Sequence, residues 1–119
     1  MELTKEIFGV WIFFKLKGRL DMKTAPEFEA EILPEIEKRM DIALDFSELD
    51  FLSSMGIRSI MKAVKKLHAV HHHIAICGMK DEVKNAIELS GVHHLVEVYE
   101  KLSDLPFASD IPDKYKKIL

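Results

Sequence analysis

Short apolar runs, separated by charged and turn-forming residues, divide the first part of the chain into candidate strands. Residues 2–7 and 10–16 are two such runs, and Phe8-Gly9 between them predicts a tight hairpin turn. The second run is apolar on both faces near its middle, which is typical of a central strand. A third run over residues 42–46 predicts another strand, and residues 18–21 are predicted to form a loop.

Three segments repeat apolar residues at helical spacing and predict helices. The first begins near residue 24 and is expected to reach about residue 39, with a kink or break at Pro34. The second runs over residues 54–71 and the third over residues 81–90. The second has one clear apolar face, made by Ile57, Ile60, Met61, Val64 and Leu67.

Strands at residues 73–77 and 95–98 complete the order β-β-α-β-α-β-α-β. An opening hairpin followed by alternating strands and helices predicts an α/β fold with a mixed, mainly parallel sheet covered by helices. We expect a single domain over residues 1–119, with a variable tail from about residue 103 to 119.

The packing of the tail and of the second strand is left open by the pattern. Leu102, Leu105 and Phe107 can pack as a short helical turn, whereas residues 113–119 form either one more short helix or a loose end. The aromatic side chains of the second strand would make one face of the sheet adhesive if nothing covered it, and they are Trp11, Phe13 and Phe14.

Composition and charge narrow the class of protein. Hydrophobic residues make up 48% and charged residues 31%, which suits a real core and a soluble surface. The net charge of −3, without a long basic block, argues against nucleic acid as a direct partner. The single cysteine, Cys77, excludes an intramolecular disulfide and is expected to be a buried apolar residue. No apolar run reaches the roughly 18 residues of a membrane span, so a cytoplasmic location is expected.

The stretch over residues 44–58 passes from an apolar strand through a short predicted turn to the start of a helix. Ser53 and Ser54 lie at that start, where a serine side chain is a preferred N-cap. A helix N-terminus also favours negative charge and can hold a phosphate. Ser54 is therefore predicted to be either the plain cap of the helix or a switchable site, at the strand end where open α/β sheets usually place their sites.

Three motifs of the chain resemble the STAS domain. Gly18-Arg19-Leu20-Asp21 resembles the Gly-x-Leu-Asp that follows the second strand of that family, and residues 44–58 resemble its central strand, loop and helix. Glu88-Leu89-Ser90-Gly91-Val92 resembles the segment before its last strand. The match spans about residues 1 to 100, in order and with the right spacing, and it implies a STAS-like fold.

The resemblance also implies a function, because STAS domains include the bacterial anti-sigma factor antagonists. In those proteins a serine of the central turn, here Ser54, is phosphorylated by a partner kinase. The unphosphorylated form binds the anti-sigma factor and frees a sigma factor, the phosphorylated form lets go, and a serine phosphatase resets it. Many antagonists have Asp where this chain has Ser53, and Ser, Thr or Ala where it has Met55.

The partner-binding surface is expected around this turn. By resemblance Asp21 belongs to it, although a role as a turn or cap residue stays open. Gly56 either lets a partner approach the backbone or simply tightens the helix start. A basic stripe on the helix is either a solvated face or a contact for an acidic partner, and it consists of Arg58, Lys62, Lys65 and Lys66. The expected partner-binding residues are Asp21, Ser53, Ser54, Met55, Gly56, Ile57 and Arg58.

Other chemistry finds less support in the sequence. The six histidines, grouped mainly at residues 71–73 and 93–94, lack the convergent spacing of a metal site, so no metal and no cofactor are expected. The chain has no Gly-x-Ser-x-Gly elbow and no Walker-type loop, so no enzyme activity is expected. The expected partner is an anti-sigma factor with serine kinase activity. The alternative is a STAS sensor or scaffold module that is not phosphorylated and binds a small ligand or another protein.

Overall fold

A computed structural model describes residues 1–115 of the chain. Within these residues, five strands form one sheet: β1 (Glu2–Phe8), β2 (Trp11–Leu20), β3 (Asp41–Leu52), β4 (Ile74–Cys77) and β5 (Glu97–Tyr99). Between the strands lie the α-helices α1 (Ala25–Ile32), α2 (Ser54–Ala69) and α3 (Asp81–Ser90). Short 3-10 turns lie at Leu33–Lys38, Val92–His94, Leu102–Asp104, Ala108–Asp110 and Asp113–Tyr115.

The strands lie in the sheet in chain order, β1-β2-β3-β4-β5. β1 and β2 pair antiparallel, and each later pair of neighbours is parallel. A helix connects each parallel strand to the next, and such crossovers are almost always right-handed. Because each crossover also steps to the next strand in the same direction, all three α-helices lie on the same face of the sheet, where they share one core. The predicted mixed, mainly parallel α/β fold, opened by a hairpin and covered by helices, is confirmed.

β2 continues beyond the end that its hydrophobic pattern predicts. Residues 18–20, predicted as part of a loop, belong to the strand and pair with β3. The register shifts twice along this pairing, as at a β-bulge. Gly18 has a φ of +107°, a backbone conformation that residues with a side chain rarely adopt. The loop prediction is wrong because an irregular strand still finds pairing partners on β3, and no local pattern reveals them.

β3 passes through the predicted turn and ends only at Leu52. Its last residues, Phe51 and Leu52, pair in parallel with Arg19 and Leu20 of β2. The turn prediction is therefore wrong, because pairing with the neighbouring strand keeps a partly polar segment extended. Since the two strands end together, the loop after Leu20 lies beside the junction after Leu52.

The first helix is split, as Pro34 predicts. α1 ends at Ile32, and the chain continues as a 3-10 turn over Leu33–Lys38 with Pro34 in its first turn. Proline has no N–H to donate and its ring crowds the preceding turn, so the α-helical hydrogen bonds stop before it. Arg39 then takes a left-handed conformation, with a φ of +54°, and closes the segment.

The helix-covered face of the sheet holds the main core. α2 contributes Ile60, Val64 and Leu67, as its periodicity predicts, whereas Ile57 and Met61 are half-buried at the edge of the core. The largest fully buried side chains on this face are Ile12, Phe14, Leu16, Leu20, Phe28, Ile32, Ile42, Leu44, Phe46, Leu49 and Ile60.

Residues 102–115 form a strap that covers the opposite face of the sheet. The Phe107 ring lies 5.1 Å from the ring of Trp11 and 6.0 Å from the ring of Phe8, measured between centroids. Leu105 is buried in the same cluster, so the predicted packing of these two tail residues is confirmed. Half-buried Leu102 packs against the edge of the cluster and begins a 3-10 turn.

The strap is fastened to the hairpin near its end. The Tyr115 hydroxyl donates to Glu6 Oε1 at 2.6 Å, and Lys114 Nζ lies 3.0 Å from the same oxygen. Both contacts lower the pKa of Glu6 below its usual value, and the hydrogen bond from Tyr115 has the larger effect. The tail expectation also includes residues 116–119, which lie outside the described part of the chain.

The aromatic residues of β2 divide between the two faces. Phe14 is buried among the helices, whereas Trp11 and Phe13 lie under the strap, which prevents that face from being adhesive. Cys77 is fully buried on the strap side, as predicted for a small apolar residue. Burial raises the pKa of its thiol, which keeps the group neutral.

Candidate functional site

The candidate site is built where β2 and β3 end side by side. The Ser53 N–H donates to the Leu20 carbonyl at 3.0 Å, and this hydrogen bond ties the start of α2 to the end of β2. Ser54 therefore follows the carboxyl end of β3, as predicted, and Asp21 follows the carboxyl end of β2. Two loops that are far apart in the chain meet at one edge of the sheet.

Ser53, and not Ser54, is the N-cap of α2. Its backbone is extended (φ −88°, ψ 172°), and its Oγ accepts from the Gly56 N–H at 3.2 Å. The prediction that Ser54 caps the helix is wrong, because Ser54 is already the first helical residue and the cap must precede it. Ser54 is exposed, and within residues 1–115 its hydroxyl has no hydrogen-bond partner.

Gly56 is buried at the helix start and packs against the strand ends. A Cβ at this position would lie 2.5 Å from the Leu20 carbonyl oxygen and 2.8 Å from Leu52 Cδ1. Both distances are far below van der Waals contact, so only glycine lets α2 begin this close to β2. Of the two predicted roles for Gly56, the tight helix start is the one that its burial favours.

Asp21 organises the loop after β2. Its carboxylate accepts from the N–H of Lys23 at 3.0 Å and of Thr24 at 3.2 Å, and Arg19 Nε lies 3.6 Å away. Burial is the largest single influence and raises the pKa of Asp21, but the hydrogen bonds from Thr24 and Lys23, together with Arg19, outweigh it. The pKa of Asp21 therefore lies below its usual value, which fits the predicted role as a turn residue.

A groove, the strand-end groove, separates the loop of Asp21 from the start of α2. The Arg19 guanidinium lies over the Phe51 ring, 4.2 Å from its centroid, and stiffens one wall. Met22 is 69% exposed and Met55 39% exposed, and methionine adapts well to a contacting surface. The groove is lined by Arg19, Asp21, Met22, Lys23, Phe51, Ser53, Ser54 and Met55.

A second groove, the helix groove, runs along the outer side of α2. Residues 54–69 contain no Asp or Glu, so the helix offers only cationic charge. Lys62 Nζ pairs with Glu29 of α1 at 2.7 Å, whereas Arg58 and Lys65 make no ion pair or side-chain hydrogen bond within residues 1–115. The groove is lined by Ser54, Ile57, Arg58, Met61, Lys62 and Lys65.

The two grooves bring together most of the predicted surface and add to it. Ser54 borders both of them, between a mixed surface on one side and a basic surface on the other. Of the remaining expected residues, Met55 and Arg58 are exposed, three are half-buried, and Gly56 is buried. The three half-buried residues are Asp21, Ser53 and Ile57.

Four residues that line the strand-end groove were not among the expected partner-binding residues: Arg19, Met22, Lys23 and Phe51. Arg19 and Phe51 face each other because they are register partners across β2 and β3, which the predicted loop and turn concealed. The motif at residues 18–21 was the signal for Arg19, because it marks the end of β2 that borders the site. Met22 and Lys23 carry no distinguishing pattern in the sequence.

The clustered histidines of residues 71–73 follow α2 at the end opposite Ser54. His72 Nδ1 lies 2.9 Å from Asp41 Oδ1, and His73 Nδ1 lies 3.3 Å from the same oxygen. In the part of the chain that the structure describes, no three His, Cys, Asp or Glu side chains are grouped so as to hold a metal ion. No helix among residues 1–115 is long and apolar enough to cross a membrane.

Comparison of the sequence with known proteins places these features in a family context. A family model described as the STAS domain matches residues 2–105, which include both grooves and end within the strap. BtrV of Bordetella bronchiseptica, a candidate anti-sigma factor antagonist, is 29% identical over 92 residues. That alignment covers 76% of this chain and 79% of BtrV.

Comparison of the structure gives the same fold. The crystal structure of an anti-sigma factor antagonist from Mycobacterium paratuberculosis matches with a TM-score of 0.79 and 22% identity, over 87% of this chain and 88% of that one. The phosphorylated form of the Bacillus cell fate determinant SpoIIAA matches with a TM-score of 0.67 and 19% identity, over 82% of this chain and 91% of that one. At these identities the likeness shows a shared fold.

Proposed function

The chain belongs to the STAS domain family, and from that premise we propose that it acts as an anti-sigma factor antagonist. The unphosphorylated protein binds an anti-sigma factor that is also a serine kinase, and a sigma factor is thereby released. Phosphorylation of Ser54 ends this contact, and a serine phosphatase restores it. The proposal is supported by the names of BtrV, a candidate anti-sigma factor antagonist, and of the Mycobacterium paratuberculosis protein of the same fold, an anti-sigma factor antagonist.

The exposed Ser54 hydroxyl between the two grooves is the observation that carries the proposal. A kinase must reach a hydroxyl, and Ser54 is exposed with no hydrogen-bond partner in residues 1–115. The neighbouring serines are engaged, because Ser53 caps α2 and buried Ser59 donates to Glu29 Oε2 at 2.6 Å. A fold neighbour, SpoIIAA, is known in a phosphorylated form.

The switch acts at the surface and leaves the fold intact. Phosphorylation adds about −1.5 to −2 charges at neutral pH. Because Ser53 supplies the cap, a modified Ser54 leaves the hydrogen bond to Gly56 in place. The added charge and bulk instead change both grooves at once, since Ser54 borders each of them. A partner that contacts the first turn of α2 and both grooves is displaced without any refolding of α2.

Ser53 supports this scheme, although many antagonists have Asp at that position. The residue before the phosphorylated serine is the N-cap of α2, and Asp and Ser are nearly equal in that role. Ser53 therefore does the same structural work as an aspartate, and the accessible hydroxyl still falls on Ser54.

A binding role fits the site better than a catalytic one. A serine nucleophile needs a general base within hydrogen-bond reach, and among residues 1–115 nothing accepts a hydrogen bond from the Ser54 hydroxyl. The surroundings of Ser54 are instead open grooves with exposed Met22 and Met55, which suit contact with another protein.

The proposal is tested first by finding the partner and then by mapping the phosphate. A pull-down with unmodified protein, from an extract of the cells that make it, is expected to recover an anti-sigma factor with kinase activity. That partner and ATP are then incubated with the wild type, Ser53→Ala and Ser54→Ala. Mass spectrometry is expected to find phosphate on Ser54 in the first two proteins and none in Ser54→Ala.

Binding completes the test. The phosphorylated wild type should lose affinity for the partner, whereas Ser54→Ala should bind it even after incubation with ATP. Label on another residue, or equal affinity before and after phosphorylation, contradicts the proposal. Recovery of partners unrelated to sigma factor control would favour a scaffold that is not phosphorylated.

A further inference from the structure

Arg58 is a free cation one helical turn beyond Ser54. Its side chain is exposed and makes no ion pair or hydrogen bond within residues 1–115. It lines the helix groove together with Ser54. An arginine left unpaired beside an exposed hydroxyl has its full hydrogen-bonding capacity available for an anion on that hydroxyl.

Helix geometry directs the Arg58 side chain towards Ser54. Residues four apart lie on the same face, and long helical side chains lean towards the helix N-terminus. An anion four residues before a cation is also the more favourable order of such a pair. A phosphate on Ser54 would therefore meet a guanidinium whose planar fork binds phosphate oxygens in pairs.

Lys23 is exposed and lies across the strand-end groove, on the loop of Asp21. The remaining cations that line the grooves are engaged or out of reach. Lys62 is held by Glu29, which also accepts from Ser59. Arg19 lies over the Phe51 ring and beside Asp21. Lys65 follows Ser54 by eleven residues, which is roughly 16 Å along the helix axis.

We propose that, when Ser54 is phosphorylated, Arg58 binds the phosphate and holds it on the surface of α2. This inference rests on the proposed function, in which Ser54 is the phosphorylated residue. The switch then has two parts: the phosphate adds charge and bulk, and it also removes Arg58 from the surface that the unmodified protein offers to its partner.

The test requires no kinase and no partner. Phosphoserine is placed at position 54 during synthesis of the full chain, and the second pKa of the phosphate, about 6 for a free monoester, is measured by 31P NMR. In Arg58→Gln this pKa is expected to rise by roughly 0.3 unit or more above that of the otherwise unchanged protein, because the dianion has lost its cation. Lys66→Gln is the matched control, since it removes one exposed positive charge farther along the same helix.

The pattern among variants decides the outcome. Arg58→Lys keeps the charge but not the fork, so its phosphate pKa is expected to lie between those of the unchanged protein and Arg58→Gln. The Arg58 guanidinium 15N signals should also shift as the phosphate titrates. Equal phosphate pKa values in the unchanged protein, Arg58→Gln and Lys66→Gln overturn the inference, even where kinase mapping has confirmed Ser54. Failure of a kinase to label Ser54 is a separate result and leaves the NMR comparison valid.

Discussion

The backbone carbonyl of Leu20 and the α-carbon of Gly56 lie so close that a Cβ on Gly56 would be 2.5 Å from the Leu20 oxygen. Leu20 ends β2 and Gly56 lies in the first turn of α2, so this contact sets the distance between the loop of Asp21 and the turn of Ser54. The width of the strand-end groove therefore depends on the absence of one methyl group.

Gly56→Ala is expected to destabilise the protein by about 1–3 kcal/mol, as overpacking does in other cores. Helix propensity alone predicts the opposite sign, a gain of about 1 kcal/mol for alanine, so a measured loss is diagnostic of the Leu20 contact. Urea denaturation gives the free energy of unfolding. Ser54→Ala in the same turn is the control and should change it by less than about 0.5 kcal/mol. A Gly56→Ala protein more stable than the wild type would refute the contact.

Ser53→Ala is expected to cost about 1 kcal/mol of stability, because the Gly56 N–H loses its capping oxygen. Ser53→Asp should retain nearly the wild-type free energy of unfolding, since aspartate is an equally good cap. Ser54→Ala again serves as the comparison. Equal losses in Ser53→Ala and Ser54→Ala would mean that the cap has been assigned to the wrong serine.

Asp21→Asn is expected to lower stability at neutral pH and to have less effect in acid. The pKa of Asp21 is lower in the folded protein than its ordinary value of about 3.9, so the ionised carboxylate stabilises the fold. That contribution is complete above the ordinary pKa and is lost as the pH falls through the folded-state pKa. The free-energy difference between wild type and variant, measured by urea denaturation, should therefore shrink between pH 7 and about pH 2.

The matched control for Asp21 is Asp110→Asn. Asp110 is exposed, and its carboxylate makes no hydrogen bond or ion pair within residues 1–115. Its replacement should leave the free energy of unfolding nearly unchanged at both pH values. If the difference between wild type and Asp21→Asn were the same at pH 7 and in acid, the ionised form would have no special stabilising role.

Phe107→Ala is expected to cost about 3–5 kcal/mol, because a buried ring would be lost from the cluster with Trp11, Phe8 and Phe13. Trp11 is the only tryptophan, so its fluorescence reports directly on the loss of cover. Leu89→Ala is the control, since Leu89 is 90% exposed and its removal should change stability by less than about 0.5 kcal/mol. An unchanged Trp11 spectrum in Phe107→Ala would show that the strap does not cover this face in solution.

The sequence predicted the features that depend on periodicity. Ile60, Val64 and Leu67 are buried as the helical spacing of α2 indicates, and Pro34 splits the first helix. The hairpin and the alternating strands and helices were sufficient for the mixed sheet. These are properties of single segments, and the hydrophobic pattern of one segment is enough to reveal them.

The features that the sequence could not predict depend on contacts between segments. Residues 18–20 and 47–52 read as loop and turn by themselves, and the pairing of residues 18–20 with Leu49, Phe51 and Leu52 keeps both segments extended. The sequence alone does not show which of two adjacent serines caps α2. The extended backbone of Ser53 assigns the cap to that residue. The burial of Gly56 depends on Leu20, whose position no local pattern contains.

The strap has a consequence for the order in which the protein is made. The hydrogen bond from Tyr115 to Glu6 joins residues 109 positions apart, so it forms only after nearly all of the described chain has been synthesised. Until the strap has been synthesised, the rings of Phe8 and Phe13 lack the side chains that cover them in the folded protein. The nascent chain is therefore prone to aggregate through these rings until residues 102–115 have emerged from the ribosome, and that is the stage at which a chaperone would protect it.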